Sequence, residues 1–463
     1  MEAKTISRTF AERFADFAVG LRYEDLPLCV VKKVKMHFLD SLGVALACPR
    51  LDYAAILTDV LFGLGGKPQA SVIGRRRKVP APMAAFANGS MIHGIDFDDS
   101  HMSAVIHGSA FIVPLVLAIG EERRSAGRDV IAAAVAGYEV VFRMGMAAPQ
   151  KFHKRGFHPT LLLGSFASAL AAGKLMGLDA NRLSNAMGIA GSLHGAGLQE
   201  FLNDGTWSKR LHPGWASFCG TIAALLAERG YTGPHRILEG KYGLFNSYLG
   251  AHQFDAHVLV AGLGDRWETM NMMYKFYPSC HATHIFMESA VHLKEHYNIE
   301  PDCIAEIHAR VSELDETLVV GNDPVKYRPP TTYAARFSLP YCLGVVLSRD
   351  QVGMSDFGEE AIKNEKILSL SEKVTWSVDR TLASSEMSGY VAIKTKDNKL
   401  YEHTARGLRG SREMPVEDGV IENKFRLNAD ATCSRSRQEK IIESVLSIDD
   451  AGSVEALMKT LRF

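Results

Sequence analysis

The sequence predicts a mainly α protein, with a large helical body into which a smaller α+β unit is inserted. Three observations carry this. From residue 1 to about 268 the apolar spacing is almost entirely helical, near residue 303 the period drops to two, and helical spacing returns after Pro415.

The first element is an amphipathic helix in which Phe10, Phe14 and Phe17 recur at helical intervals beside Glu12 and Asp16, a pattern unlike a signal peptide. Segments 129–148 and 160–176 follow, rich in Ala, Gly and Ser and apolar around most of their circumference. Small residues let helices approach closely, so these segments belong inside a multilayer helical body and not on its surface. Gly177 closes one helix, and Asp179 caps the next. In the smaller unit Ala305, Ile307, Ala309 and Val311 alternate with Glu306, His308 and Arg310, which predicts a strand with one solvated face. Val374, Trp376 and Val378 repeat the pattern, and 390–403 reads as a hairpin turning at Asp397 and Asn398. Pro415 to Asp418 suit the first turn of a helix, and 436–446 and 453–461 continue the helical pattern.

Composition narrows the function. The 463 residues are 47% apolar, enough for a large core, and 52 Lys and Arg balance 52 Asp and Glu, so no net field draws the chain to nucleic acid or an anionic membrane. Uncharged runs such as 161–173 are too short to span a bilayer. Seven cysteines lie far apart without a CxxC pair, which argues against a disulfide framework or structural zinc and fits a reducing cytoplasm. The run Arg75 to Lys78 reads as a solvated turn. Dinucleotide, phosphate-loop, serine-hydrolase and zinc-protease signatures are all missing, so no cofactor is expected and side chains must supply the chemistry.

Segment 88–109 concentrates three histidines and three aspartates between apolar helical stretches. Ionisable groups resist burial unless paired or put to chemical use, which marks the segment as a candidate site wall. On a helix His93 and Asp96 would share a face from which Asp98 and Asp99 point away, so Asp96 is singled out to accept a proton, orient a histidine or simply cap a helix. His107 precedes a helix whose free N–H groups could receive an anion. A metal held by His93, Asp96, His101 and His107 is conceivable, but their spacing matches no usual site, and none is expected. His158, in Gly-Phe-His-Pro-Thr, faces a helix start, and Lys209, three residues before His212, could clamp a carboxylate or an enolate-like charge. Lys275 to His284 lies at the junction of the two units, where clefts commonly form, and Tyr327 and Tyr333 follow on the smaller unit.

Taken together, NGxxxHxxDFDD, GFHPT, KxxHxG and YPSCHATH resemble the MmgE/PrpD family, whose activities include 2-methylcitrate dehydration, cis-aconitate decarboxylation and iminodisuccinate epimerisation. The resemblance implies a helical domain from residues 1–268 and 406–463, a lid domain over 269–405, and a homodimer. It also implies Asp96, His107, His158 and Lys209 as catalytic residues, with Ser100, His284 and Tyr327 binding substrate and Tyr333 as the other candidate for the lid tyrosine. This chain departs from the family pattern at His107-Gly108-Ser109, where many members have His-Pro-Ser, and at Ser100, where the decarboxylase branch has threonine.

The expected activity is that of a cofactor-independent lyase acting on a small di- or tricarboxylic acid through an enolate-like intermediate. Dehydration of the 2-methylcitrate type leads. Decarboxylation of the cis-aconitate type, epimerisation of an amino- or imino-dicarboxylate, and carboxylate binding without catalysis are the alternatives. Lys209 and one or two of His107, His158 and His284 would hold the carboxylates, and Asp96 with a histidine would handle the proton.

Overall fold

The computed structural model describes residues 8–321, 324–381 and 388–463. It is mainly α, with one four-stranded sheet in the smaller unit. Helix Phe10–Gly20 begins with a reciprocal cap, in which the Glu12 backbone N–H donates to Thr9 Oγ1 and the Thr9 N–H donates to Glu12. Its buried stripe is Ala11, Phe14, Ala15 and Ala18, while Phe10 and Phe17 pack at the stripe's edges.

The small-residue segments become the innermost helices. Helix Ser109–Arg123 is buried from Ser109 to Glu121, and Gly127–Met146, Gly164–Leu175 and His212–Glu228 surround it. One close approach places the functional segments side by side. A Cβ at Gly89, on helix Ala81–Ile92, would lie 2.9 Å from Gly214 Cα, and one at Gly214 would lie 2.2 Å from the Phe86 carbonyl. Glycine at both positions lets the start of helix His212–Glu228 press on helix Ala81–Ile92, so the segment carrying Lys209 meets the segment carrying His93 and Asp96.

In the smaller unit the strands lie in the spatial order Val374–Val378, Ile304–Val311, Ser388–Thr395, Leu400–Arg406, the first pair parallel and the others antiparallel. The first strand corrects one expectation. A register shift between Ile304 and Glu306 turns Ala305 out to solvent and buries Ile304 with Ile307, Ala309 and Val311. The 388–406 hairpin turns at Asp397 and Asn398 as expected, with Asn398 at φ 64°. Helices His281–Tyr297 and Leu339–Ser348 complete this unit's own core, which runs from Met273 to Leu408.

The chain then returns to the body. Helices Asp418–Ala429 and Arg435–Leu446 lay Ile421, Phe425, Ile441 and Val445 into the core built by the first 274 residues. Lys424 reaches through to Asp40 (2.7 Å) and to the Phe97 carbonyl (2.9 Å), beneath the loop that follows helix Ala81–Ile92. Arg75 to Arg77 sit in the turn between two short strands, Ala70–Ser71 and Lys78–Val79, whereas Lys78 departs from the solvated-turn expectation by opening the second strand and pairing with the buried Glu121 at 2.7 Å. Among the described residues no helix is long and apolar enough to cross a membrane.

Candidate active site

Helix Ala81–Ile92 ends one residue before His93, and this overturns the expectation that His93 and Asp96 share a helical face. The chain turns instead through Gly94 and Ile95, and Asp96 adopts φ 54°, a left-handed conformation that an L-residue holds only when its surroundings enforce it. Arg336 helps enforce it, because its guanidinium donates to the carbonyls of Ile95 (2.9 Å) and Pro278.

The turn separates the three aspartates. Asp98 takes His93, with Nδ1 to Oδ2 at 2.8 Å, and Asp99 takes His37 at 2.9 Å while accepting the Ser109 N–H at 3.1 Å. Asp98 and Asp99 therefore do not point away as the helical reading had them. The Asp99 carboxylate also fills the helix N-terminus that His107 was expected to leave open for an anion.

Asp96 is left facing two lysines. Lys209 Nζ donates to Oδ2 at 3.0 Å, and Lys275 Nζ donates to Oδ1 and to the Asp96 carbonyl. All three side chains are buried. Burial alone would raise the carboxyl pKa, but the two ammonium groups outweigh it and hold Asp96 well below the usual carboxylate range. In the sequence Lys275 stands out only as the first residue of the junction segment 275–284. Its signal was a lysine in an otherwise apolar and aromatic run, Met272 to Tyr277, and such a charge must find a partner.

The histidines form the second layer. His107 Nδ1 donates to the Asp99 carbonyl at 2.8 Å, and His158 Nδ1 shares a hydrogen bond with His212 Nδ1 at 3.0 Å. With one ring nitrogen of each engaged, His93, His107 and His158 bring ligand-capable nitrogens within 4.8 Å of one another. A metal-compatible trio thus exists, which keeps His93 and His107 of the four residues the sequence suggested and adds His158 in place of Asp96 and His101. His101 turns to Glu268 at 3.5 Å, and Asp96 is taken up by its lysines.

Ser100 Oγ bonds to His281 Nδ1, a residue that was not singled out in the sequence and that opens helix His281–Tyr297. His284 stands one turn behind it, its ring 4.6 Å from His281 and edge-on to Tyr277 at 5.1 Å. A cavity of about 120 Å³ is lined by Asp96, Ser100, His107, His158, Lys209 and His281. None of His284, Tyr327 and Tyr333 is on its wall. Tyr327 is half-buried in the smaller unit, where its carbonyl accepts from Ser371. Tyr333 is fully buried under Arg210, whose guanidinium lies 4.6 Å from its ring, and its hydroxyl has no hydrogen-bond partner among the described residues. Burial first, and Asp96 second, push that phenol well above its ordinary pKa.

Burial also pushes His93, His107, His158, His281 and His284 well below 6.5, His153 to about 4 and His212 to about 3. Groups depressed in this way take up protons more readily in the unfolded chain, so they contribute stability above pH 6.5 that is lost as the pH falls through that value. Asp40 and Asp98, raised to about 6 by burial, act in the opposite direction but are outnumbered. The thermal midpoint should therefore drop as the pH is lowered from about 7 to about 5, with more than one proton taken up on unfolding. A midpoint that holds steady across that interval would show the histidines already charged in the fold.

Comparison with known proteins places the chain among relatives over nearly its full length. The profile of the MmgE/PrpD N-terminal domain matches residues 12–257, and that of the MmgE/PrpD C-terminal domain matches 277–450. The chain is similar to a cis-aconitate decarboxylase of Aspergillus terreus, at 28% identity over 96% of this chain and 94% of the relative. Cis-aconitate decarboxylases of Mus musculus and Homo sapiens are each 26% identical over 98% of this chain, covering 94% and 95% of the relatives respectively.

Proposed function

The chain belongs to the MmgE/PrpD family and is a lyase of that type, and we propose that its reaction is decarboxylation of an aconitate-like unsaturated polycarboxylic acid. The observation that carries this reading is the Asp96 carboxylate fixed between Lys209 and Lys275. A carboxylate held that far below its usual pKa is a weak base, poorly suited to pulling a proton from carbon. Dehydration and epimerisation need a base for such a step, a part for which Asp96 is ill suited, whereas decarboxylation needs none. The full-length relatives named above point the same way.

In such an acid the carboxylate on the saturated CH2 leaves as CO2, and its bonding pair becomes the new double bond. The old double bond shifts its pair toward the next carboxylate-bearing carbon, giving an enolate-like charge that takes up one proton. Lys209 stands on the cavity wall to meet that charge. His107 and His158 start neutral because they are buried, and the substrate's negative charge favours their protonation from solvent, so either imidazolium can supply the proton. Asp96 then serves to hold its lysines in place.

Incubation in deuterated water with cis-aconitate and with 2-methylcitrate tests the assignment. CO2 release from the first, with one deuterium in the product and none in recovered substrate, is the expected result. Water loss from 2-methylcitrate would restore dehydration, deuterium in recovered substrate would indicate epimerisation, and binding without turnover a silent homologue. Activity is also expected to survive EDTA. Loss on chelation that a divalent ion reverses would make the His93, His107 and His158 trio a metal centre.

The buried phenol beside Arg210 makes Tyr333 the better choice for the tyrosine of the site. Tyr333→Phe should lower kcat/KM about tenfold or more, while Tyr327→Phe should stay within about twofold of the parent. Equal effects in steady-state assays would reverse that choice.

A further inference from the structure

The three histidines whose nitrogens converge beside the cavity are anchored in different ways. His93 is held by the buried Asp98 and His107 by the Asp99 backbone carbonyl, and both are ends of a chain of hydrogen bonds. His158 is held by a second imidazole, His212, with 3.0 Å between the two Nδ1 atoms. Two neutral ring nitrogens approach that closely with one proton between them, so one ring donates and the other accepts, and Nε2 of each is left for another partner.

The second observation is where the two rings stand. His158 is on the cavity wall, whereas His212, which opens helix His212–Glu228, is not, yet it is only half-buried. A half-buried residue off that wall meets solvent elsewhere, so the imidazole pair runs from the cavity through to the outside. Phe201, itself buried, lies edge-on to both rings, 5.9 Å from His158 and 5.6 Å from His212, and fixes how they face each other. The His158 N–H donates to the Gly197 carbonyl at 2.7 Å, which secures the backbone that carries the inner ring.

Decarboxylation consumes one proton per turnover, and a substrate that fills the cavity displaces the water that could bring it. We propose that His212 relays this proton from solvent to His158, so that His158 and not His107 is the acid of the reaction, an inference that rests on the decarboxylase reading. Solvent protonates His212 at Nε2, the shared proton crosses from His212 Nδ1 to His158 Nδ1, and the His158 imidazolium gives its Nε2 proton to the enolate-like carbon. One proton enters, one is spent, and both rings end neutral. Water that enters as product leaves returns each proton to its first nitrogen. Burial keeps both rings uncharged in the empty site, with His212 pushed to about 3, so the charge forms on His158 only when substrate carboxylates lie beside it. His212 touches no substrate and is a positioning residue that acts through His158.

The fate of the intermediate tests the relay, because the enolate-like carbon either takes a proton or recaptures CO2. With 13C-labelled CO2 held at a fixed concentration, the label in recovered cis-aconitate per mole of product reads how slowly the proton arrives, whichever step limits kcat. His212→Asn keeps an N–H for His158 Nδ1 but cannot pass a proton on, and it should raise that ratio about tenfold or more. His212→Ala should raise it as far, and added imidazole should bring it back toward the parent value. 1-Methylimidazole, which fills the same gap with one nitrogen capped, should not. An unchanged ratio in either folded variant overturns the relay, as does restoration by both imidazoles, the mark of a merely structural role, or by neither. Should His212→Asn not fold, the alanine variant and its two imidazoles decide alone. A parent that releases no CO2 from cis-aconitate overturns the decarboxylase reading and the relay with it, whereas CO2 release with a flat ratio removes the relay alone.

Discussion

Replacing Lys209 by methionine is expected to lower kcat/KM by about a hundredfold or more while the protein stays folded. The enolate-like charge would form in a cavity where Lys209 is the only lysine or arginine among the described lining residues, and loss of one such donor in a dry site typically costs two to three orders of magnitude in rate. Methionine keeps most of the aliphatic stem and removes the ammonium group, whose Nζ lies 4.9 Å from the centre of the Phe337 ring. Asp96 retains Lys275, so no carboxylate is stranded, and the thermal midpoint should fall by no more than about five degrees. Steady-state CO2 release and scanning calorimetry on one preparation check both halves. Retention of more than about a tenth of the activity, worth less than about 1.4 kcal/mol, would remove Lys209 from the chemistry.

Asp96→Asn should do more damage, and of a different kind. It leaves two buried ammonium groups beside a neutral amide, and stranding buried charges in this way costs about 3–5 kcal/mol. The midpoint should fall on the order of ten degrees, together with loss of turnover. Adding Lys275→Met removes one of the stranded charges and should restore part of the stability but none of the activity. That pattern identifies Asp96 as the group that positions the lysines. Were Asp96→Asn to lose turnover with its midpoint unchanged, Asp96 would instead be the proton carrier and the ion triad of little consequence to the fold.

What the sequence revealed and what it hid follow from the range of the forces involved. Helical periodicity, the change of period near residue 303 and the return after Pro415 are local patterns, and each has its counterpart in the structure. Asp96, Ser100, His107, His158 and Lys209 were legible because polar residues sit in segments otherwise made for burial, and all five line the cavity. Lys275 and His281 were not, since their meaning depends on partners 179 and 181 residues away. The roles of Asp98 and Asp99 were misread because helical geometry was carried past Ile92, where the chain turns. The inward turn of Ile304 in place of Ala305 required the register of a strand supplied by residues 388–395.

The return of the chain to the body has a consequence for how this protein is made. Asp40 and the Phe97 carbonyl, which brace the loop bearing Asp96, receive their ammonium partner from Lys424. On the ribosome, at about 5–20 residues per second, helix Leu28–Leu46 must wait on the order of tens of seconds for the segment that covers it. During that interval its apolar face is open to chaperones or to other nascent chains. Synthesis halted before residue 418 would yield nearly every catalytic side chain on a scaffold that cannot close, so yield in the cell should depend on the last tenth of the message more than on any residue of the site.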